Sequence, residues 1–123
     1  MRQPATILVV DDEAMIRNLM GVALEMEGFQ VLRAENGPDA IRVSESHPGE
    51  IDLLVSDITM PGMDGPTLAG ELLATDPNLP VLFVSGYSER IPLNKDKPFQ
   101  VLQKPFVLSA LVRAVRSIVR RRT

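Results

Sequence analysis

Short apolar runs alternate with longer amphipathic stretches along the whole chain. Three of the apolar runs, at residues 7–10, 51–56 and 81–85, hold almost no charged side chains. Such runs are typical of parallel strands that are buried on both faces. Two further strands are predicted at residues 30–34, where the run is weaker and more polar, and at residues 99–103.

Amphipathic stretches with apolar residues at helical spacing follow most of these strands. They predict helices at residues 13–27 and 39–46, from the cap at Asp64 to about residue 75, and at residues 107–122. The predicted buried face of the first helix consists of Ile16, Leu19, Met20, Ala23 and Met26, with Met15 at the core margin. That of the last helix consists of Leu108, Leu111, Val112, Val115 and Val119.

Local signals mark several helix ends. Gly28 follows the first helix, where a glycine commonly ends a helix. Asn-Gly-Pro at residues 36–38 predicts a turn before the second helix. Asp64 can cap the third helix, and Pro66 falls in its first turn, where proline is tolerated.

The stretch between the last two strands has poor periodicity. Pro92 falls in its middle, and a proline in a helix interior costs about 3 kcal/mol. Ile91 and Leu93 are two residues apart, so they cannot share a helical face. We therefore expect the fourth of five helices to be short or poorly formed, with at most one or two turns.

The order of elements is a strand followed by a helix, five times. Parallel strands need helical crossovers, and right-handed crossovers place helices on both faces of the sheet. The pattern predicts a three-layer α/β domain that occupies residues 1–123. In such sheets the functional crevice lies beyond the carboxyl ends of the strands, where the strand order reverses.

Polar side chains follow the predicted strands at those carboxyl ends. Asp11 and Asp12 follow the first strand, Asp57 the third, Ser85 ends the fourth and Lys104 follows the fifth. A single aspartate at a strand end is common, because aspartate favours turns, and solvated loop acids with no joint role are the alternative. Three acids and a lysine at one sheet edge favour a functional site.

Clustered carboxylates repel one another by roughly 4 kcal/mol per pair at about 4 Å and an effective dielectric near 20. A proton or a cation must relieve this, and Mg²⁺ or Mn²⁺ suits a site whose ligands are all oxygen. The same ion neutralises charge on a transferring phosphoryl group. Lys104 supplies a second positive charge, Ser85 a hydrogen-bond donor, and Asp57 a carboxylate nucleophile.

Composition narrows the classes of function. The chain of 123 residues has a net charge of −3, so no basic field attracts nucleic acid or anionic lipid. It has no cysteine and one histidine, which excludes thiolate and multi-histidine metal sites. Residues 1–6 show no signal-peptide core, and no apolar run approaches the roughly 18 residues of a membrane span. A cytoplasmic location without membrane contact is expected.

Arginines are concentrated toward the end of the last helix, at Arg113, Arg116 and residues 120–122. Positive charge is favoured there by the helix dipole. Binding of nucleic acid by this run is the less favoured alternative. A linker to another domain and an assembly surface, such as that of a homodimer, are the others.

Four motifs together give the chain a strong likeness to a known family. They are Ile-Leu-Val-Val-Asp-Asp-Glu at residues 7–13, Ser-Asp-Ile-Thr-Met-Pro-Gly-Met-Asp-Gly at 56–65, Val-Ser-Gly-Tyr at 84–87 and Lys-Pro-Phe at 104–106. The chain resembles a two-component response regulator receiver domain from end to end. The resemblance implies a flavodoxin-like (βα)5 fold with strand order 2-1-3-4-5.

The resemblance also implies a role for each site residue. Asp57 would be the phosphoacceptor and a metal ligand, with Asp12 as a direct ligand, Asp11 acting largely through water, and the backbone carbonyl of Thr59 as a further ligand. Ser85 would be the switch hydroxyl, Lys104 the phosphoryl partner and Pro105 a cis-proline. The family's usual switch aromatic is replaced by Val101, and Tyr87 could take over part of that role.

The implied function is a phosphorylation-gated signalling switch rather than an enzyme, fed by a histidine kinase or a histidine phosphotransfer domain. Two sequence motifs, Val-Ser-Gly-Tyr at residues 84–87 and Leu-Gln-Lys-Pro-Phe at 102–106, resemble those of receivers attached to hybrid sensor kinases. A covalently linked kinase or output domain is therefore one expectation. Phosphorylation would act by ordering or re-docking residues 87–98 through Ser85 and Tyr87, although a loose loop with no signalling role is the alternative.

Two other classes of function are open. A phosphatase with an aspartyl nucleophile usually has a second acid two residues later, where this chain has Thr59. A receiver-like module that binds partners without phosphorylation is disfavoured by the complete set of acids, Ser85 and Lys104.

Overall fold

A computed structural model describes residues 4–85, 99–104 and 106–122. Its five parallel strands form one sheet in the order β2-β1-β3-β4-β5. The elements in chain order are β1 (Thr6–Val10), α1 (Ala14–Met26), β2 (Gln30–Ala34), α2 (Gly37–Ser46), β3 (Leu53–Asp57), α3 (Gly65–Thr75), β4 (Val81–Ser85), β5 (Phe99–Gln103) and α4 (Leu108–Arg122). The predicted fold and strand order are confirmed. Residues 86–98, to which the sequence assigned the short helix, lie outside the described ranges.

The three central strands are buried along their whole length. Alternate side chains of β1 enter two separate cores, because successive residues of a strand point to opposite faces. Leu8 and Val10 pack with residues of α2 and α3, whereas Ile7 and Val9 pack with residues of α1 and α4. The sheet therefore forms the middle layer of three, as its continuous apolar runs predict.

The start of α2 differs from the prediction. Residues 36–38 are not a separate turn, because α2 already begins at Gly37. The side chain of Asn36 caps the helix by accepting a hydrogen bond from the Asp39 amide at 2.8 Å. Pro38 suits a first helical turn, where its missing N–H has no partner to lose. The cap predicted at Asp64 is confirmed, since its carboxylate accepts a hydrogen bond from the Thr67 amide at 2.8 Å.

The predicted inner face of α1 is partly wrong. Met20, Gly21 and Leu24 are the residues that α1 buries. Met15, Leu19, Val22 and Met26 form a second apolar line, here called the α1 stripe, whose members are 74%, 48%, 50% and 79% exposed. Both lines have helical spacing, so hydrophobicity alone did not distinguish the buried line from the exposed one.

The last helix packs largely as predicted. Leu111 and Val115 are buried and Val112 and Val119 are half-buried, but Ile118, which the prediction omitted, is also buried. Leu108 is 38% exposed at the first turn of α4. Among the described residues, no helix combines the length and the apolar character that a membrane span requires.

Candidate functional site

The carboxylates of Asp11, Asp12 and Asp57 meet at the carboxyl edge of the sheet, where each offers an oxygen within 4.8 Å of the others. Strands β1 and β3 are neighbours in register, with Val10 opposite Ser56, so the residues that follow them emerge side by side. Asp11 and Asp57 are buried, whereas Asp12 is exposed. The predicted convergence of the acids is confirmed.

The main chain around Asp11 is held from several directions. Its amide donates a hydrogen bond to the carbonyl oxygen of Ala34 at 3.3 Å, which continues the pairing of β1 with β2. Its side-chain Oδ1 accepts a hydrogen bond from the Glu13 amide at 2.9 Å. Its carbonyl oxygen accepts one from Nη1 of Arg17 at 2.7 Å. Sequence reasoning did not identify Arg17, although an arginine in the first turns after the acidic pair was a visible signal.

Burial of Asp11 changes its protonation. Desolvation raises the pKa of Asp11 to about 6, with the Glu13 amide opposing the shift and the charge of Asp57 adding to it. Within the described part of the chain, Oδ2 of Asp11 is buried and accepts no hydrogen bond. Its nearby cation is Lys104, whose Nζ lies 3.9 Å away. This oxygen is thus available to a cation or to a water molecule bound to one.

Lys104 faces the acids from the end of β5. Its Nζ lies 3.4 Å from Oδ2 of Asp57. Burial on its own would lower the pKa of Lys104, but the negative charges of Asp57 and Asp11 outweigh it and raise that pKa. The amide of Lys104 also donates a hydrogen bond to the carbonyl oxygen of Ser85 at 2.6 Å, so the ends of β4 and β5 are tied together.

The loop after β3 passes very close to the start of α3. The amide of Gly65 donates a hydrogen bond to the carbonyl oxygen of Ile58 at 2.7 Å. A Cβ placed on Gly65 would lie 2.3 Å from the carbonyl oxygen of Asp57, a distance that real atoms do not reach. The absence of a side chain at Gly65 therefore lets α3 begin directly against the backbone of Asp57.

The structure brings together Asp11, Asp12, Asp57 and Lys104 and places Ser85, buried, at the end of the neighbouring strand. Thr59 lies exposed in the loop after β3, and its carbonyl remains a predicted ligand. Tyr87 and Pro105 lie outside the described residues. Val101 is half-buried in β5, at the position where receiver domains usually have their switch aromatic.

The donor set fits a hard divalent cation. It offers three carboxylate oxygens that lie close together, one of them from Asp11, whose Oδ2 is buried and accepts no hydrogen bond among the described residues. Mg²⁺ binds through a few carboxylates and keeps room for water and for phosphate oxygens. Three carboxylate oxygens leave coordination positions for both, as the sequence predicts.

Comparisons with known proteins point to the same family. A family model for the response regulator receiver domain matches residues 7–116. The chain is 43% identical over 119 residues to the sensor kinase CckA of Brucella abortus, a match that covers 94% of this chain and 12% of the kinase. It is 34% identical over 117 residues to the response regulator receiver protein CpdR of the same organism, covering 92% of this chain and 95% of CpdR.

Solved structures agree with the sequence matches. The response regulator TrrA of Thermotoga maritima, in complex with Mg²⁺ and BeF, superposes with a TM-score of 0.79 and 34% identity. The match covers 93% of this chain and 98% of TrrA. By contrast, the chain spans only 12% to 26% of the length of the sensor kinase and of several transcriptional regulators that it matches.

Proposed function

This chain belongs to the response regulator receiver domain family, and from that premise we propose that Asp57 is the residue that accepts the phosphoryl group. As a member of the family it is a phosphoacceptor domain of two-component signalling. The observation that carries the assignment to Asp57 is its position: it ends a buried strand, faces two further acids and lies 3.4 Å from the ammonium group of Lys104.

In the proposed reaction, a carboxylate oxygen of Asp57 forms a bond to phosphorus while the bond from phosphorus to the donor's histidine nitrogen breaks. The electron pair of that bond returns to the imidazole, and the product on this chain is an acyl phosphate. Lys104 neutralises the incoming phosphoryl oxygens, and the Ser85 hydroxyl donates a hydrogen bond to one of them. The same site also governs loss of the phosphoryl group, with no turnover of other substrates.

Asp11, Asp12, Asp57 and the carbonyl of Thr59 would hold Mg²⁺ or Mn²⁺. When bound, the ion supplies positive charge that offsets the charge of the transferring phosphoryl group. Support comes from the three clustered carboxylate oxygens and from the relative TrrA, whose structure contains Mg²⁺. Asp12 is the direct ligand and Asp11 acts largely through water in this proposal.

The phosphoryl donor is proposed to be a histidine kinase or a histidine phosphotransfer domain. The likeness to a sensor kinase supports an origin of residues 1–123 as one receiver domain in a longer protein, and the likeness to CpdR supports a protein of this size. In either arrangement, a cytoplasmic location is proposed for the domain.

The α1 stripe is the surface on which that donor would rest. It starts at Met15, three residues after Asp12, and so runs away from the site along α1. Val107 and Leu108, which are 64% and 38% exposed, flank the site three and four residues after Lys104. A donor that inserts a histidine at Asp57 must cover the side chains around the crevice, and these apolar residues would lose solvent on contact.

Mass spectrometry after treatment with acetyl phosphate tests the phosphoacceptor. We expect one phosphoryl adduct on the wild-type chain with Mg²⁺ and none on Asp57→Asn. A full adduct on Asp57→Asn, or on wild-type protein stripped of divalent cations, would contradict the assignment.

Two donors test the docking surface. Leu19→Asp, in the middle of the stripe, should slow phosphoryl transfer from a phosphorylated histidine protein at least tenfold, because it places a charge in the apolar contact. Transfer from acetyl phosphate should not change. Ala74→Asp, at an exposed helical position of α3 on the other face of the sheet, is the matched control and should leave both rates intact. Equal slowing by the two variants would overturn the surface.

A further inference from the structure

We propose that Arg17 is a positioning residue that holds the backbone of residues 11–13 in the shape that the acidic pair needs to bind a divalent cation. The proposal rests on the metal site described above and concerns a residue outside the predicted ligand set. It depends on one contact: Nη1 of Arg17 donates a hydrogen bond of 2.7 Å to the carbonyl oxygen of Asp11.

That contact closes a short loop of backbone. The amide of Arg17 donates to the carbonyl oxygen of Glu13 at 2.9 Å, which begins the hydrogen bonding of α1. The guanidinium of the same residue reaches back six positions to Asp11. Arg17 thus binds two carbonyl oxygens, one on each side of Asp12. The direction of both acidic side chains depends on the peptide units between them.

The positive charge of Arg17 does not explain why an arginine beside this site would favour metal binding. A positive charge near the start of a helix is disfavoured by the helix dipole. Beside a site for a divalent cation, the same charge repels the ion and weakens its binding. In the metal-free chain the charge also offsets repulsion among the neighbouring acids, but it opposes a bound divalent cation, so the hydrogen bond to Asp11 is the interaction by which Arg17 can favour metal binding.

A role through charge and a role through position predict opposite changes in Mg²⁺ affinity when Arg17 is replaced. Arg17→Met removes both the charge and the donor. If Arg17 acted by its charge alone, Mg²⁺ would bind this variant more tightly than the wild type. If it acts by position, Mg²⁺ should bind at least tenfold more weakly, which is the size of loss seen when outer hydrogen bonds to metal ligands are removed.

Isothermal calorimetry with Mg²⁺ alone measures these affinities. Arg42→Met is the matched control, because Arg42 is exposed and pairs with Asp39 on α2, outside the acid cluster. It removes the same charge and should leave the affinity within about twofold of the wild type. Arg17→Lys keeps a donor on a flexible stem and should recover part of the loss. Unchanged or tighter binding by Arg17→Met overturns the proposal.

Amide hydrogen exchange in metal-free protein gives a readout that needs no ion. The amide of Glu13, which donates to Oδ1 of Asp11, should exchange at least fivefold faster in Arg17→Met and keep its rate in Arg42→Met. If wild-type protein binds no Mg²⁺, the proposed function fails, and this exchange rate still decides the role of Arg17. If Arg17→Met does not fold, Arg17→Gln, which removes the charge and shortens the side chain, carries both measurements, and unchanged or tighter Mg²⁺ binding or a wild-type exchange rate would overturn the proposal.

Discussion

Burying Asp11 at the end of β1 has a cost that depends on pH. The pKa of this carboxyl is raised from 3.8 to about 6 in the folded chain, chiefly by desolvation. The folded state therefore holds the proton more tightly than the unfolded state does. As pH rises from about 4 to about 6, the free energy of unfolding falls, and above that window the loss is complete.

Asp11→Asn should remove this cost, because the amide oxygen can still accept the hydrogen bond from Glu13. A shift of about two pKa units corresponds to at most about 3 kcal/mol. In metal-free buffer at pH 7.5 we expect the variant to be more stable than the wild type by up to that amount. Near pH 4 the two should unfold alike.

Urea denaturation at both pH values, with EDTA present, checks this prediction. Asp39→Asn provides a control carboxylate outside the acid cluster. A wild-type chain that gains stability between pH 4 and pH 6 relative to Asp11→Asn would contradict the assigned direction.

At the residue scale the sequence identified the groups that carry charge at strand ends. Asp57 and Lys104 could be predicted because parallel strands deliver their carboxyl ends to one edge of the sheet. The contacts of Arg17 and Gly65 could not be predicted in this way, because each involves a main-chain carbonyl oxygen that only the folded backbone brings close.

At the scale of elements, the start of α3 is constrained by the backbone it covers. Gly65→Ala would place a Cβ 2.3 Å from the carbonyl oxygen of Asp57, and backbone atoms cannot move aside cheaply. We expect the substitution to lower the free energy of unfolding by about 1–3 kcal/mol, as overpacking does. It should also slow phosphorylation, because Asp57 itself must shift.

Gly70→Ala in the same helix is the matched control. A Cβ at Gly70 meets nothing within 4 Å, so alanine there should stabilise the protein by about 0.5–1 kcal/mol. Thermal and urea unfolding of the two variants should thus move in opposite directions. Destabilisation of equal size would show that the helix, and not its approach to Asp57, is sensitive.

For helix α1, the spacing of apolar residues did not predict which face is buried. Its apolar residues are numerous enough to form two lines, one through Met20 and Leu24 and one through Leu19 and Met26. Periodicity identifies each line but does not say which meets the sheet, because that depends on how the helix is docked. In β1, by contrast, every residue is buried, so no choice arose.

At the scale of the whole molecule, the ends of β4 and β5 act as one unit. The hydrogen bond from the Lys104 amide to the Ser85 carbonyl joins the two residues that would contact the phosphoryl group. We expect Lys104→Ala to accept a phosphoryl group but to transmit it poorly, because Asp57 remains while the charged contact to β5 is lost.

Amide chemical shifts recorded before and after phosphorylation measure that transmission. In Lys104→Ala, the shifts in β5 and α4 should shrink to well under half of the wild-type changes. Shifts that match the wild type would show that Lys104 does not couple the site to the rest of the domain. The ordering or re-docking role predicted for residues 87–98 stays a prediction.

The fold itself was predictable because its signals agree. Buried strands, capped helices and crossovers all indicate one parallel sheet, whereas the observed order β2-β1-β3-β4-β5 was implied by the resemblance to receiver domains. Finer boundaries were less certain, as the start of α2 at Gly37 shows, because a capping asparagine and a first-turn proline resemble a turn in sequence.

The spacing of Asp57 and Lys104 along the chain has a consequence during synthesis. The two residues are 47 positions apart, and all three clustered acids precede the lysine. A ribosome that adds about 5–20 residues per second would deliver the lysine roughly 2 to 9 s after Asp57. During that interval a nascent chain that pairs β1 with β3 would bring the acids together without their ammonium partner. We expect the contacts between Lys104 and the acids to form last as the nascent domain folds.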